Sequence, residues 1–200
     1  MNSWTFRILL LSFLLLLSGC NTPSKEHKAK TQNKPPKQSA IQKLGENKTD
    51  VVLFLNRAEH VLEEVYFAAA DNAKGKTIYE DGLAYREMPK RFDSKDKIVR
   101  FFSRFWSRPL AEAMYDNMST KVVKDKVYVS FPKNDYPVLI STRNTTVQKT
   151  NGELRVTVED ATTPAFSTDR TLRYQLVRDA KTKRFEIKSR LGAYGNEQFQ

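Results

Sequence analysis

The apolar residues of this chain fall into three regimes of spacing, and each predicts a different kind of segment. Ile8 to Leu17 is an apolar run interrupted only by Ser12. At about ten residues it is too short for the roughly 20 that a spanning helix needs. From Asn21 to Thr49 the large apolar residues are Ile41 and Leu44 alone, set among Lys, Gln, Asn, Ser and Pro. Such a segment cannot bury enough surface to offset its ordering entropy, which predicts a disordered spacer.

The helical period begins near Asp50. Val51, Leu55, Ala58, Leu62, Val65 and Ala69 recur at steps of three and four, with Asn56, Arg57, Glu59 and Glu63 on the other side. This predicts one amphipathic helix from about Asp50 to Ala70, ended by Asp71-Asn72-Ala73-Lys74-Gly75. Thr77–Tyr79 and Leu83–Arg86 read as a short hairpin about Asp81-Gly82. A second helix is expected after Pro89, with Asp93 as N-cap and Asp96 in its first turn. Its apolar face is Ile98, Phe101, Phe102, Phe105 and Trp106. Ser107-Arg108-Pro109 should break it and start another short helix with Leu110, Ala113 and Met114 inward.

From Lys121 the period becomes two. Strands are predicted at Val122-Val123 and Val127–Val129 about Lys124-Asp125, and at Val138-Leu139-Ile140. Hairpins follow at Thr145–Lys149 and Leu154–Glu159 about Asn151-Gly152, then Leu172–Leu176 and Phe185–Ile187. Helices first and antiparallel strands afterwards predict an α+β domain over residues 50–200, with N-terminal helices packed on a curved antiparallel sheet.

The single cysteine changes the reading of the N-terminal run. Arg7, the apolar stretch and Leu17-Ser18-Gly19-Cys20 together resemble the signal and lipobox of bacterial lipoproteins. That resemblance implies a signal peptide over residues 1–19, and a thiol at Cys20 that carries lipid and becomes the new N-terminus. Two or more acyl chains hold a protein to a bilayer durably, which one does not. The expected location is extracytoplasmic and anchored to the cell membrane. With one cysteine in the chain no internal disulfide can form, so the fold must rest on its apolar core.

Charge sharpens this picture. Of the formal net charge of +11, +5 sits in Asn21–Thr49, where seven lysines face Glu26 and Glu46. A polybasic segment next to a membrane is attracted to lipid headgroups, and in a walled bacterium to anionic wall polymers. An exported lipoprotein has no nucleic-acid partner in prospect.

Catalytic chemistry finds few candidates. The two histidines are His27, in the spacer, and His60, on the first predicted helix between Asn56 and Glu64. Glu59, His60, Glu63 and Glu64 are metal-ligand types, but no second His or Cys completes a closed site. Seven glycines form no phosphate-cradling loop. No catalytic residue, metal site or cofactor is therefore assigned. Two binding features remain. The stripe Phe101, Phe102, Phe105 and Trp106 fits either a core or a ligand pocket. The loop Phe131–Pro137 has proline near both ends and a polar tip, which suits entry into a partner at low ordering cost.

The order of these pieces resembles the inhibitors of bacterial cell-wall DL-endopeptidases, the IseA-like family. The likeness spans about Val51 to Leu191. It rests on the hairpin ending Tyr85-Arg86, the helix opening Asp93-Ser94-Lys95-Asp96-Lys97-Ile98, and Pro109-Leu110-Ala111-Glu112-Ala113. The turn Lys124-Asp125-Lys126, the loop near Asp135 and the closing hairpins complete it. The resemblance implies a non-enzymatic protein that binds the catalytic domain of secreted Cys–His peptidases of the NlpC type. An acidic loop would block their cleft, here Asp135 with Lys133, Asn134 and Tyr136 around it. The family's loop is glycine-rich beside its acid, whereas this one has no glycine and proline on both sides. The helix-then-sheet order, cystatin- or NTF2-like in outline, equally permits a ligand-binding or scaffold lipoprotein of the envelope. That alternative requires an open pocket under the Phe101–Trp106 stripe.

Overall fold

The computed structural model describes residues 44–131, 138–159, 161, 171–180 and 183–192. Its architecture is α+β, with four helices among the described residues packed on curled antiparallel sheets. Helix α1 (Lys48–Glu59) starts at Asn47, whose side chain accepts from the Asp50 amide at 3.0 Å. The Asp50 carboxylate reaches back to the Gly45 amide and the Asn47 side chain, tying the chain before the helix to its first turn. Helix α2 (Val61–Ala70) follows at once. The single predicted helix is thus two, joined at His60, where ψ is 0°. The apolar stripe runs straight through the junction, which is why the period does not reveal it. Of that stripe Val51, Leu55, Ala58, Val65 and Ala69 are buried, and Leu62 packs against the core from its edge.

Strands β1 (Thr77–Glu80) and β2 (Leu83–Glu87) form the expected hairpin. Asp81 and Gly82 both adopt positive φ, 53° and 76°, the turn whose twist matches paired strands. Helix α3 (Lys95–Phe102) is capped by Ser94, not Asp93. The Ser94 hydroxyl accepts from the Lys97 amide, while the Asp93 carboxylate takes the Lys97 ammonium at 2.6 Å. Helix α4 (Arg108–Asp116) has Pro109 in its first turn and buries Leu110 and Met114 as expected; Ala113 is half-buried.

Strands β3 (Thr120–Val123) and β4 (Lys126–Val129) pair about Lys124-Asp125, and the first sheet runs β1-β2-β4-β3. The second sheet is a meander of β5 (Thr145–Thr150), β6 (Glu153–Val158), β7 (Leu172–Arg178) and β8 (Phe185–Leu191). The predicted run of strands is therefore divided between two four-stranded sheets. Val138-Leu139-Ile140 is no strand. It keeps alternating burial, but side chains take its carbonyls: Asn144 holds that of Leu139 at 2.9 Å and Asn56 that of Ile140 at 3.0 Å.

One continuous core joins helices and sheets. Phe54 of α1, fully buried, lies 5.5 Å from the Phe105 ring and 5.7 Å from that of Phe185. After α3 the chain turns, and Phe105 to Ser107 runs beside β8. There Ile187 donates to the Phe105 carbonyl, and its own carbonyl accepts from Ser107. Buried Trp106 donates its indole N–H to the Ala58 carbonyl at 3.1 Å. An indole seldom enters a core unless its N–H finds such a partner.

Candidate functional site

Cys20 and the loop residues Lys133, Asn134, Asp135 and Tyr136 lie outside the described residues. The points at which the chain leaves for residues 132–137 and returns are described, and both are fixed. On the leaving side, the Phe131 ring packs 5.9 Å from that of Tyr66, a buried residue of α2. Ser130, just before it, is buried and donates its amide to the Ser119 carbonyl. On the returning side Val138 and Ile140 are buried. Asn56 of α1 clamps Ile140 with one N–H and bonds its own helix at Val52 with the same amide group. Asn144 then ties Leu139 and Ser141 into a compact knot, donating to the former and accepting from the latter at 2.8 Å.

Two apolar side chains flank this opening without entering the core. Phe131 is 42% exposed and Leu139 46%. Leu53 and Phe67, on the helices that carry Asn56 and Tyr66, are exposed as well. Phe131 and Leu139 thus leave an exposed apolar side chain on each stem. Exposed apolar side chains on fixed stems are suited to docking a protein surface.

The histidine-centred candidates do not assemble. His60 is exposed, with Nδ1 2.9 Å from the Glu63 carboxylate, an ordinary surface pair one turn apart. Among the described residues no three metal-ligand side chains converge. Nor is any helix among them long and apolar enough to cross a membrane.

Glu59 corrects the expectation for the outer helix face. Its side chain is almost buried and is held by two elements of the second sheet. Arg190 Nε and Nη2 donate to its two oxygens at 2.8 and 3.0 Å, and the Tyr174 hydroxyl donates at 2.8 Å. Burial first, then the Glu59 charge, push the Tyr174 phenol well above its ordinary pKa. This inlay locks α1 onto β7 and β8. Alternation from Phe185 and Ile187 would point Arg190 outward. Instead the register slips at Lys188: Leu176 faces Ile187, but Gln175 faces Ser189. The slip turns Arg190 in and leaves Leu191 exposed.

The aromatic stripe divides between core and surface. Phe102, Phe105 and Trp106 are buried, whereas Phe101 is half-buried and meets Phe92 edge-on at 5.0 Å. Beside this pair lies an open groove of about 600 Å3. Arg91 lies over the Phe92 ring at 4.8 Å and Arg104 over that of Phe101 at 5.3 Å. The stripe thus borders a basic groove that is open at the surface. The likeness that carries the inhibitor reading stays one of sequence order, because no protein-family model and no curated protein matches this chain.

Proposed function

We propose that this protein is a membrane-anchored, non-enzymatic inhibitor of extracytoplasmic peptidoglycan DL-endopeptidases, blocking their catalytic cleft with the loop around Asp135. The observation that carries the reading is the pinning of both stems of residues 132–137 to the helical layer. A segment held at both ends loses less freedom on binding than a free one, and the surplus becomes affinity. Phe131 and Leu139 supply apolar contact at the rim of the cleft, and Asp135 presents a carboxylate at its centre. Peptidases of this type cut stem peptides that carry carboxylates, so their clefts favour negative charge. A carboxylate on a short proline-bounded loop occupies that position without placing a scissile bond there.

The anchor sets where this happens. The spacer behind a lipid on Cys20 is about 29 residues long, and a flexible chain of that length has a root-mean-square reach of ~30 Å. Inhibition is then confined to the wall layer next to the membrane. The other reading, a ligand-binding lipoprotein of the envelope, has the open groove beside Phe101 in its favour.

Titration of the protein, carrying Cys20→Ser, into the purified catalytic domain of such a peptidase separates the two. Release of stem-peptide fragments from peptidoglycan should fall to zero at one equivalent. Leu139→Ser, at an exposed side chain, should weaken inhibition about fivefold, or about 1 kcal/mol. Its melting temperature should not change. Full cleavage in the presence of excess protein would refute inhibition and leave the ligand-binding reading.

A further inference from the structure

The groove beside Phe101 gathers positive charge that peptidase inhibition does not use. Arg91, Lys97, Arg100, Arg104 and Arg184 line it, with Glu64 as the one carboxylate on its wall. Two of the five are already neutralised along α3. Lys97 pairs with Asp93, and Arg100 pairs with Asp96. Arg91 and Arg104 are held differently. Both are exposed, and each lies over the face of a phenylalanine ring. Stacking satisfies the face of a guanidinium and leaves its edge of N–H donors free to take an oxoanion two bonds at a time.

Arg104 also borders two adjoining hollows. One, of about 110 Å3, is shared with Asp179, Arg184 and Glu186; the other, of about 240 Å3, with Asn56, Arg57, His60 and Glu64. The groove therefore opens further beyond Arg104, balanced in charge toward Asp179 and Glu186 and basic toward Arg57. Its floor alternates in kind: Arg91, then the Phe92–Phe101 pair, then Arg104. Charge, apolar floor and charge match a polymer in which phosphates alternate with short carbon units. The guanidinium groups lie over the two ring faces that a nucleobase would need for stacking. A poly-acidic peptide, for its part, offers nothing to the apolar floor between the charges.

We infer that this groove binds an extended polyol-phosphate chain, with Arg91 and Arg104 each taking a phosphate and Phe92–Phe101 supporting the carbon unit between them. The residues of the groove itself are not those that hold the stems of residues 132–137, although the hollow toward Arg57 is also lined by Asn56, which clamps Ile140.

The test is a titration of the full chain, spacer included and in a non-ionic detergent, with a glycerol-phosphate polymer. It is run by calorimetry at several salt concentrations. Saturable binding is expected. Arg91→Gln with Arg104→Gln should weaken it tenfold or more at physiological salt. The same pair should reduce the slope of log K against log salt by about 1.4, since each phosphate contact on a flexible strand contributes roughly 0.7. Arg143→Gln with Arg155→Gln, two exposed arginines outside the groove, should change affinity less than about twofold. Equal losses in the two double variants would overturn the inference, since binding would then follow overall charge. So would the absence of saturable binding. Binding of oligothymidylate or polyglutamate as tight as the polyol phosphate, at equal charge and salt, would overturn the ligand class.

Discussion

Removing one partner of the Glu59–Arg190 pair should be among the most destabilising single changes available outside the apolar core. Arg190 is 2% exposed and its guanidinium gives two hydrogen bonds to Glu59, which takes a third from Tyr174. Glu59→Leu deletes the acceptor of all three and leaves a guanidinium buried opposite an alkyl chain. Breaking a buried pair from one side costs about 3–5 kcal/mol. For a chain of this size that is a fall of about 6–20 °C in melting temperature. Arg190→Met, which strands the carboxylate, should cost a similar amount. The double variant removes both charges and should recover most of the loss, because replacing a buried pair by apolar groups is often neutral. Urea denaturation of the four proteins closes the cycle. A coupling of about 3 kcal/mol is expected, well above the 0.5 kcal/mol seen for independent sites. Single variants that each cost under about 1 kcal/mol, or a double variant whose loss is the sum of the two, would refute the reading of this inlay as a buried latch.

Two further outcomes follow from the core and from its charged edge. Phe54→Ala empties the space between Phe105 and Phe185 and should cost about 3–5 kcal/mol in the same denaturation assay. Glu87 is held below its ordinary pKa, first by its hydrogen bond from Lys126 and then by the Lys76 amide. A carboxylate with a lowered folded pKa adds stability above its unfolded value of about 4.5, and that stability is lost as pH falls through the folded value. Glu87→Gln should therefore flatten the acid limb of the stability profile below about pH 4.5, with little change in shape at neutral pH.

Much of the fold was legible because the local chemistry left little choice. Asp81-Gly82 and Asn151-Gly152 pre-select the positive φ of two-residue turns, and both hairpins form there with the anticipated partners. The hidden features depend on contacts distant in sequence. Asn56 meets Ile140 across 84 positions, replacing a strand ladder with a side-chain clamp. Ser94 caps α3 because Asp93 is drawn to Lys97, a choice between adjacent good caps that propensity cannot make. Arg190 turns inward because one residue of β8 is skipped in register, which reverses every side chain after it. The groove left a faint local signal: Phe101 and Arg104 stand three apart at the end of a helix, and Arg91 adjoins Phe92. Only the fold brings those two pairs together. Of the predicted inhibitory loop the structure fixes the two ends, while Lys133, Asn134, Asp135 and Tyr136 lie outside the described residues.

Obstruction of the peptidase's catalytic cysteine can be read directly from its alkylation. With Cys20→Ser this chain has no thiol of its own, so iodoacetamide reports on the peptidase alone. The alkylation rate should fall as protein is added and level off at one equivalent. Asp135→Lys should restore the unprotected rate while melting at the same temperature as its parent. An alkylation rate unchanged at saturating protein, or protection undiminished in Asp135→Lys, would contradict a cleft blocked by this loop.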